Sequence, residues 1–394
     1  MTEKELAQFL GGRLYRVGGS VRDQLLGRTA SDRDFVLTGV RVEDVPLDKI
    51  AGQSFPVFRT KLEGETVEIA LARKEKKHGQ GYHGFEIYSD PTLTIEEDLI
   101  RRDLTINAMA IDVMTEELID PYGGRKDLKD RILRHTSDAF SEDPLRVYRV
   151  ARFAAKLGFR IAPETKALMM RLKPELTELT PERVYIEFAK ALMTPFPDRF
   201  FRELDGLLDV HFPEIEKLKV PDRHDGTAFE HTMACLYRGH TLMERFGLLV
   251  HDLGKGLSPD PPKHHGHQEH EHLVQSLGDR LRIPSALIKF GRITMRMHMK
   301  LKDLHKIRPG KIIRMVDSST YKQLRLSYLE SSGRYDKKLY LKHVKLVKDV
   351  IKLKKDIGGK ILLDRGITPD ALFGAKLLQE RIKEFKIRRL LDGF

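Results

Sequence analysis

The feature that most limits what this chain can fold into is a change of hydrophobic period near residue 137. Before it, short apolar runs at Leu14–Val17, Asp34–Leu37, Thr66–Leu71 and Met109–Val113 alternate with glycine-rich turns, the pattern of short strands in an α+β domain. After it, apolar residues recur at three- and four-residue spacing. VYRVARFAAKLGF (147–159) predicts a helix stopped by Gly158. No strand is expected beyond Asp138, and prolines at 174, 181, 195, 213 and 221 punctuate a series of short helices. A chain of 394 residues exceeds one compact core and is expected to divide into several domains.

Charge narrows the partners. The chain carries 70 Lys and Arg against 58 Asp and Glu, a net charge of +12, which suits a polyanionic partner such as nucleic acid. From Lys300 to the C-terminus there are 25 basic and 11 acidic residues, a local excess of +14. DKKLYLKHVKLVKDVIKLKK, at the centre of that region, reads as an amphipathic helix with a cationic face. That face is either solvated or set against phosphates, and in the second case affinity falls steeply with salt. Cys235 is the single cysteine, so no intrachain disulfide and no cysteine-based zinc cluster can form, which suits a reducing compartment. The first thirty residues lack a secretory signal and no apolar run approaches the ~18 residues of a membrane span, so a soluble, cytoplasmic protein is expected.

Two motifs near the N-terminus carry chemistry. YRVGGSVRDQLLG (15–27) reads as strand, Gly-Gly turn and helix. Such a turn is either a plain tight turn or one that aims backbone N–H groups at a phosphate, with Gly18 and Gly19 letting it approach. Ten residues on, SDRDFVLTG (31–39) places Asp32 and Asp34 two apart at the start of an apolar run. Such a pair is either a solvated turn or, because strand geometry puts both carboxylates on one face, a site where Mg²⁺ would relieve their repulsion.

VGGSVRDQLLG followed by DRDF resembles the nucleotidyltransferase motif of the DNA polymerase β superfamily. RRDLTINAMAID (101–112), DPYGGRKDL (120–128), EDPLRVYRVARFAAKLGF (142–159) and TPERVYIEFAKAL (180–192) resemble, in order, the class II tRNA nucleotidyltransferases and bacterial poly(A) polymerases. The His251–Asp252 pair in LLVHDLGKG narrows the resemblance to bacterial CCA-adding enzymes that carry an HD phosphohydrolase domain. It extends over nearly the whole chain.

The resemblance implies an α+β fold with a DNA polymerase β-like head built on a mixed sheet (1–136). An all-α, nucleotide-selecting neck (137–222), an HD domain (223–330) and basic C-terminal helices (331–394) would follow. It implies template-independent addition of C, C and A to the 3′ end of tRNA from CTP and ATP, with the acceptor stem as partner. A poly(A) polymerase, an enzyme adding only part of CCA, or chiefly an HD phosphohydrolase are the alternatives. Asp32 and Asp34 would be catalytic and hold Mg²⁺, with Glu68 either a third carboxylate or a salt-bridged strand residue. Gly19, Arg22 and Arg102 match positions that hold the triphosphate, whereas Arg101 and Asp103 fit a solvated charged face.

In that family the positions matching Asp143 and Arg146 replace a template, and Arg149 extends the same helix stripe. Cytosine and adenine both present an amino donor beside a ring-nitrogen acceptor, which a carboxylate next to a guanidinium complements, while uracil and guanine present the reverse. Arg73–Asp98 resembles the flexible loop used to switch from C to A addition. For the HD centre, His231, His251, Asp252 and Asp317 follow the order H…HD…D, a donor set suited to Mg²⁺ or a divalent transition metal. His264, His265, His267, His270 and His272 supply extra ligands or form a surface loop. The segment LESSGR (329–334) departs from relatives that often place an aspartate there. The implied HD reaction is hydrolysis of phosphomonoesters or 2′,3′-cyclic phosphates.

Overall fold

The computed structural model describes residues 1–29, 33–49, 57–77, 85–222, 226–261, 263–264, 266–331, 335–364, 372–388, 390–392 and 394, without the side chains of 74–77 and 85–88. They form two compact units, Met1–Val210 and His211–Phe394.

The first unit opens with helix α1 (Glu3–Leu10), whose N-terminus is closed by a reciprocal Thr2–Glu5 capping box. Its sheet is assembled from β1 (Arg13–Val17), β2 (Asp34–Thr38), β3 (Val57–Leu62), β4 (Glu65–Leu71), β7 (Ala110–Asp112) and β8 (Leu118–Ile119), in the order β3-β4-β2-β1-β7-β8. Only the β2–β4 pair is parallel, so the sheet is mixed, as expected. Strand alternation sends Leu14, Phe35, Leu37 and Ile69 to one face with Leu6 and Leu10 of α1. Tyr15, Val17 and Val36 go to the other face, covered by Leu93, Ile95 and Leu99. Burial on both faces explains why β2 reads as a continuous apolar run.

Part of the expected loop at Arg73–Asp98 is ordered. β5 (Lys74–Lys77) and β6 (Phe85–Tyr88) pair antiparallel as a separate ribbon, in keeping with the strand preference of Phe-Glu-Ile-Tyr. Residues 78–84 lie outside the described residues. Helix α2 (Gly19–Leu25) follows β1, and α3 (Ile95–Leu99) and α4 (Gly124–Asp130) flank β7 and β8.

Among the described residues beyond 137 the regular structure is helical, with one exception: β10 (Arg160–Ile161) pairs parallel with β9 (Ile132–Leu133). Such a two-residue strand is too short for a period-two pattern to reveal. Helix α5 (Leu145–Leu157) ends at Gly158 in the left-handed region, as its sequence predicts. After α6 (Pro163–Arg171), it packs with α7 (Pro181–Leu192) and α8 (Pro197–Glu203) over Tyr148, Phe188, Phe200 and Phe201. Proline stands at the first position of α6, α7 and α8, so here it starts helices rather than merely ending them. The short α9 (Leu208–His211) closes this part.

The second unit contains α10 (Pro213–Glu216), α11 (Ala228–Leu236), α12 (Leu242–Val250), α13 (His272–Leu281), α14 (Ser285–Lys302), α15 (Pro309–Met315), α16 (Thr320–Glu330), α17 (Lys337–Asp356), α18 (Gly359–Asp364) and α19 (Phe373–Ile387). Helix α17 buries Leu346, Val347, Val350 and Leu353 against Phe385 of α19, leaving its lysine face outward. No helix among the described residues is long and apolar enough to cross a membrane.

Candidate functional site

The first site forms at one end of the sheet. In the antiparallel β1–β2 pair Val17 lies opposite Asp34, and in the parallel β2–β4 pair Asp34 lies opposite Glu68. The end of β1 therefore turns into Gly18 and Gly19 beside both carboxylates. Asp32 lies outside the described residues, and β2 begins at Asp34. Glu68 accepts from Arg59 at 2.9 Å across the β3–β4 pair, which makes it a salt-bridged strand glutamate next to Asp34 in register.

Gly18 has φ +69°, a conformation that side chains other than glycine rarely adopt. A Cβ there would stand 3.0 Å from Nη1 of Arg102, so the guanidinium lies directly against the turn. Asp98, fully buried, holds Arg102 at 3.0 Å and Arg101 at 2.5 Å. Burial raises the Asp98 carboxyl, but the two guanidinium groups outweigh it and keep its pKa below the ordinary value. Nε of Arg102 is buried and makes no hydrogen bond, a cationic donor against a glycine turn. Arg22 is 2% exposed and donates to Asn107 at 2.6 Å and to both oxygens of Asp23. Its Nη2 comes within 3.5 Å of a Cβ placed on Gly19.

The segment after Arg102 connects this turn to the helical neck. Asp103 is buried and accepts from Asn107 at 2.9 Å and from Arg149 of α5 at 2.6 Å. Burial raises its carboxyl, while Arg149 and Asn107 more than reverse that and hold it well below the usual range. It is a structural anchor rather than part of a solvated face. Asp143 stands in extended backbone just before α5 and Arg146 in the first turn of that helix, with the Arg146 amide donating to the Asp143 carbonyl at 3.0 Å. Their side chains are oriented by different partners. Arg183 of α7 donates to Asp143 at 2.7 Å, and Arg146 donates to the Ala139 carbonyl at 2.6 Å. Arg152 pairs with buried Glu187 of α7.

The second site is a buried cluster in the second unit. His231 of α11, His251 and Asp252 after α12, His267, and His298 of α14 are all at most 6% exposed. Asp252 is its centre: Oδ2 lies 3.0 Å from His251 Nε2 and 2.8 Å from Lys255 Nζ, and Oδ1 lies 3.2 Å from His267 Nε2 and 3.4 Å from His298 Nε2. Burial would raise the Asp252 carboxyl, but His251 and Lys255 keep it well below the usual carboxylate range. Lys255 also reaches Asp222 at 2.9 Å.

Three of these imidazoles are pinned the same way. Nδ1 of His251 donates to the Leu248 carbonyl at 2.7 Å, that of His267 to His264 at 2.8 Å, and that of His298 to Met295 at 2.9 Å. A carbonyl can only accept, so each ring carries a proton on Nδ1 and presents Nε2 to Asp252, the orientation of a metal-binding histidine. Gly254 makes room for this, since a Cβ there would meet the His267 carbonyl oxygen at 2.0 Å. Oδ1 of Asp252 and Nε2 of His267 are buried acceptors that face each other without a hydrogen bond, so the donor set fits a divalent cation.

Asp317, expected as a ligand of the HD centre, does not join the ligand atoms brought together here. Its carboxylate accepts from the Ser319 and Thr320 side chains and the Ser319 amide at the start of α16, and it is not among the grouped ligand atoms. An Asx-type cap competes locally for such a residue. The acidic group brought toward the cluster is Glu330, from the segment that departs from the family pattern. It is 3% exposed, and its charge acts on His251 and His298. His298 escapes the sequence reading, although a histidine on the buried face of an apolar helix, between Met295 and Leu301, is the trace it leaves. His264 is buried, and His265 lies outside the described residues.

A family model described as Poly A polymerase head domain matches residues 14–134, and one described as Probable RNA and SrmB- binding site of polymerase A matches 158–219. The Multifunctional CCA protein of Alkalilimnicola ehrlichii is 44% identical over 329 residues, 77% of this chain and 78% of that protein. A Multifunctional CCA protein of Acinetobacter baumannii is 44% identical over 325 residues, with coverage of 77% and 78%. Among solved structures, an apo form of a CCA-adding enzyme is 25% identical with a TM-score of 0.70, over 99% of this chain and 89% of that one. A Bacillus stearothermophilus CCA-adding enzyme in complex with CTP is 22% identical with a TM-score of 0.69, over 99% and 94%.

Proposed function

The chain belongs to the class II tRNA CCA-adding nucleotidyltransferases of the poly(A) polymerase superfamily, and on that footing we propose how its two sites divide the work. The first adds C, C and A to the 3′ end of tRNA from CTP and ATP without a template. The observation that carries this reading is the convergence of the Gly18–Gly19 turn, Arg102 with its orphan Nε, and the Asp34–Glu68 register at one end of the sheet.

Asp34, with Asp32, would hold Mg²⁺, an oxygen-only donor set for a hard cation. When bound, the metal supplies charge stabilisation at the attacking and leaving oxygens. The chain's own residues do the rest. Gly18 and Gly19 admit the triphosphate, Arg102 meets it with a guanidinium aimed by Asp98, and Arg22 braces the same turn through Asp23 and Asn107. The Arg149–Asp103 pair ties α5 to that turn, so a base resting on α5 is set relative to the phosphates. Asp143, oriented by Arg183, accepts the amino group of cytosine or adenine, and Arg146, oriented by Ala139, donates to the ring nitrogen.

At the second site His231 and His251, beside the group Asp252, His267 and His298, would hold divalent metal that, when bound, polarises a phosphoryl oxygen. The class of substrate is a phosphomonoester or 2′,3′-cyclic phosphate. Within the two compact units we distinguish a head (1–136), a selecting neck (137–222), an HD region (223–330) and a basic tail (331–394) that meets tRNA phosphates. A cytoplasmic setting accords with the absence, among the described residues, of a membrane-crossing helix.

Separation of the two activities tests this division. Asp34→Ala should abolish CMP and AMP incorporation into tRNA and leave metal-dependent phosphatase activity intact, whereas His251→Ala should do the reverse. Loss of both activities in His251→Ala, with the fold intact by circular dichroism, would make the HD region a structural element only.

A further inference from the structure

The buried thiol of Cys235 lies beside the histidines of the second site. Helix α11 carries His231 and Cys235 one turn apart, which places both side chains on the same face. Sγ of Cys235 lies 3.7 Å from Nε2 of His231, and that nitrogen lies 3.3 Å from Nε2 of His251. The ligand atoms of these three residues lie within 4.8 Å of one another.

The two separations agree with one tetrahedral ion. With metal–nitrogen bonds of 2.0–2.1 Å and a metal–sulfur bond near 2.3 Å, a tetrahedral angle puts nitrogen about 3.3 Å from nitrogen and sulfur about 3.6 Å from nitrogen. Asp252 provides an independent observation. It is 2% exposed, and its Oδ2 lies 3.0 and 3.8 Å from the same two imidazole nitrogens. The sulfur is also prepared for charge, since Arg238 Nη1 stands 3.4 Å from it, a cation placed to suit a thiolate.

We propose that Cys235 is a thiolate ligand of the HD centre, completing with His231, His251 and Asp252 a site for a thiophilic divalent ion such as Zn²⁺ or Co²⁺. This rests on the reading of the second site as a metal centre. Coordination replaces the sulfur–hydrogen bond by a sulfur–metal bond and releases one proton to solvent, with no change of oxidation state. The thiol then gives up its 3.5 Å contact with the Glu330 carbonyl. Sulfur selects against Mg²⁺, which takes oxygen ligands, so the two sites of the chain would draw on different metals.

The chain has one cysteine, so a thiolate-to-metal signal can come only from Cys235. The full chain, stripped with a chelator and titrated with Co²⁺, should show visible d–d bands together with an intense near-ultraviolet sulfur-to-cobalt charge-transfer band. In Cys235→Ser and Cys235→Ala the charge-transfer band should vanish while d–d bands remain, and cobalt affinity should fall at least tenfold. CCA synthesis by the same preparations reports that the variants are folded. Visible cobalt bands without charge transfer in the unaltered chain would overturn the thiolate and leave the metal centre standing. No cobalt spectrum at all would remove the metal centre and the proposal together.

Discussion

At the scale of single residues, the proposed selection of the base rests on Asp143 and Arg146, which are held by Arg183 and by the Ala139 carbonyl. Arg146 is 8% exposed and fixed through the Ala139 carbonyl, so its truncation removes a donor from the base edge without disturbing Asp34 or Arg102. Arg146→Ala should therefore reduce discrimination between CTP and UTP more than it slows CMP addition. A loss of ~1–3 kcal/mol of discrimination is the scale expected for one such pairing. Single-turnover incorporation of each nucleotide measures it, and unchanged discrimination would remove Arg146 from base selection. The residues of both sites differ in how visible they are in the sequence. Asp34, Arg102, Asp143, Arg146, His251 and Asp252 stand in motifs with local spacing. Asp103 and Glu187 do not, because each is fixed by an arginine more than thirty residues away, and such pairs leave no periodicity. Asp317 misleads for the opposite reason, since a carboxylate before a helix serves equally well in a local Asx-type turn.

At the scale of elements, the glycine turn between β1 and α2 is the joint on which the first site depends. Gly18→Ala forces a Cβ onto a residue with φ 69° and ψ −126°, a region nearly confined to glycine, at a cost of ~1–3 kcal/mol, and brings it to 3.0 Å from the Arg102 guanidinium. We expect a soluble, folded variant whose KM for both CTP and ATP rises together, because the triphosphate seat is shared by the two substrates. Steady-state kinetics with each nucleotide checks this, and a rise for one nucleotide alone would place the turn outside the shared seat. The helices were easier to read than the strands. Gly158 and the 3.6-residue period marked α5, and the lysine stripe marked α17. The β5–β6 ribbon and β10 were not legible, the first embedded in a polar stretch and the second only two residues long.

At the scale of the whole molecule, two compact units carry two donor chemistries. The first presents carboxylate oxygens and guanidinium groups, the second imidazoles, one carboxylate and one thiol. Sequence order alone announced the head, the helical remainder and the cationic tail. It could not show how the elements of the second unit bring His231, His251, His267 and His298 together, because that depends on tertiary packing. The central claim concerns the first site and is tested most directly by extension of tRNA transcripts ending before CCA, after C and after CC, each supplied with CTP, ATP or both in the presence of Mg²⁺. The account predicts ordered growth that stops at CCA, with ATP used only after CC. A lengthening poly(A) ladder, arrest at CC with both nucleotides present, or no incorporation would contradict it.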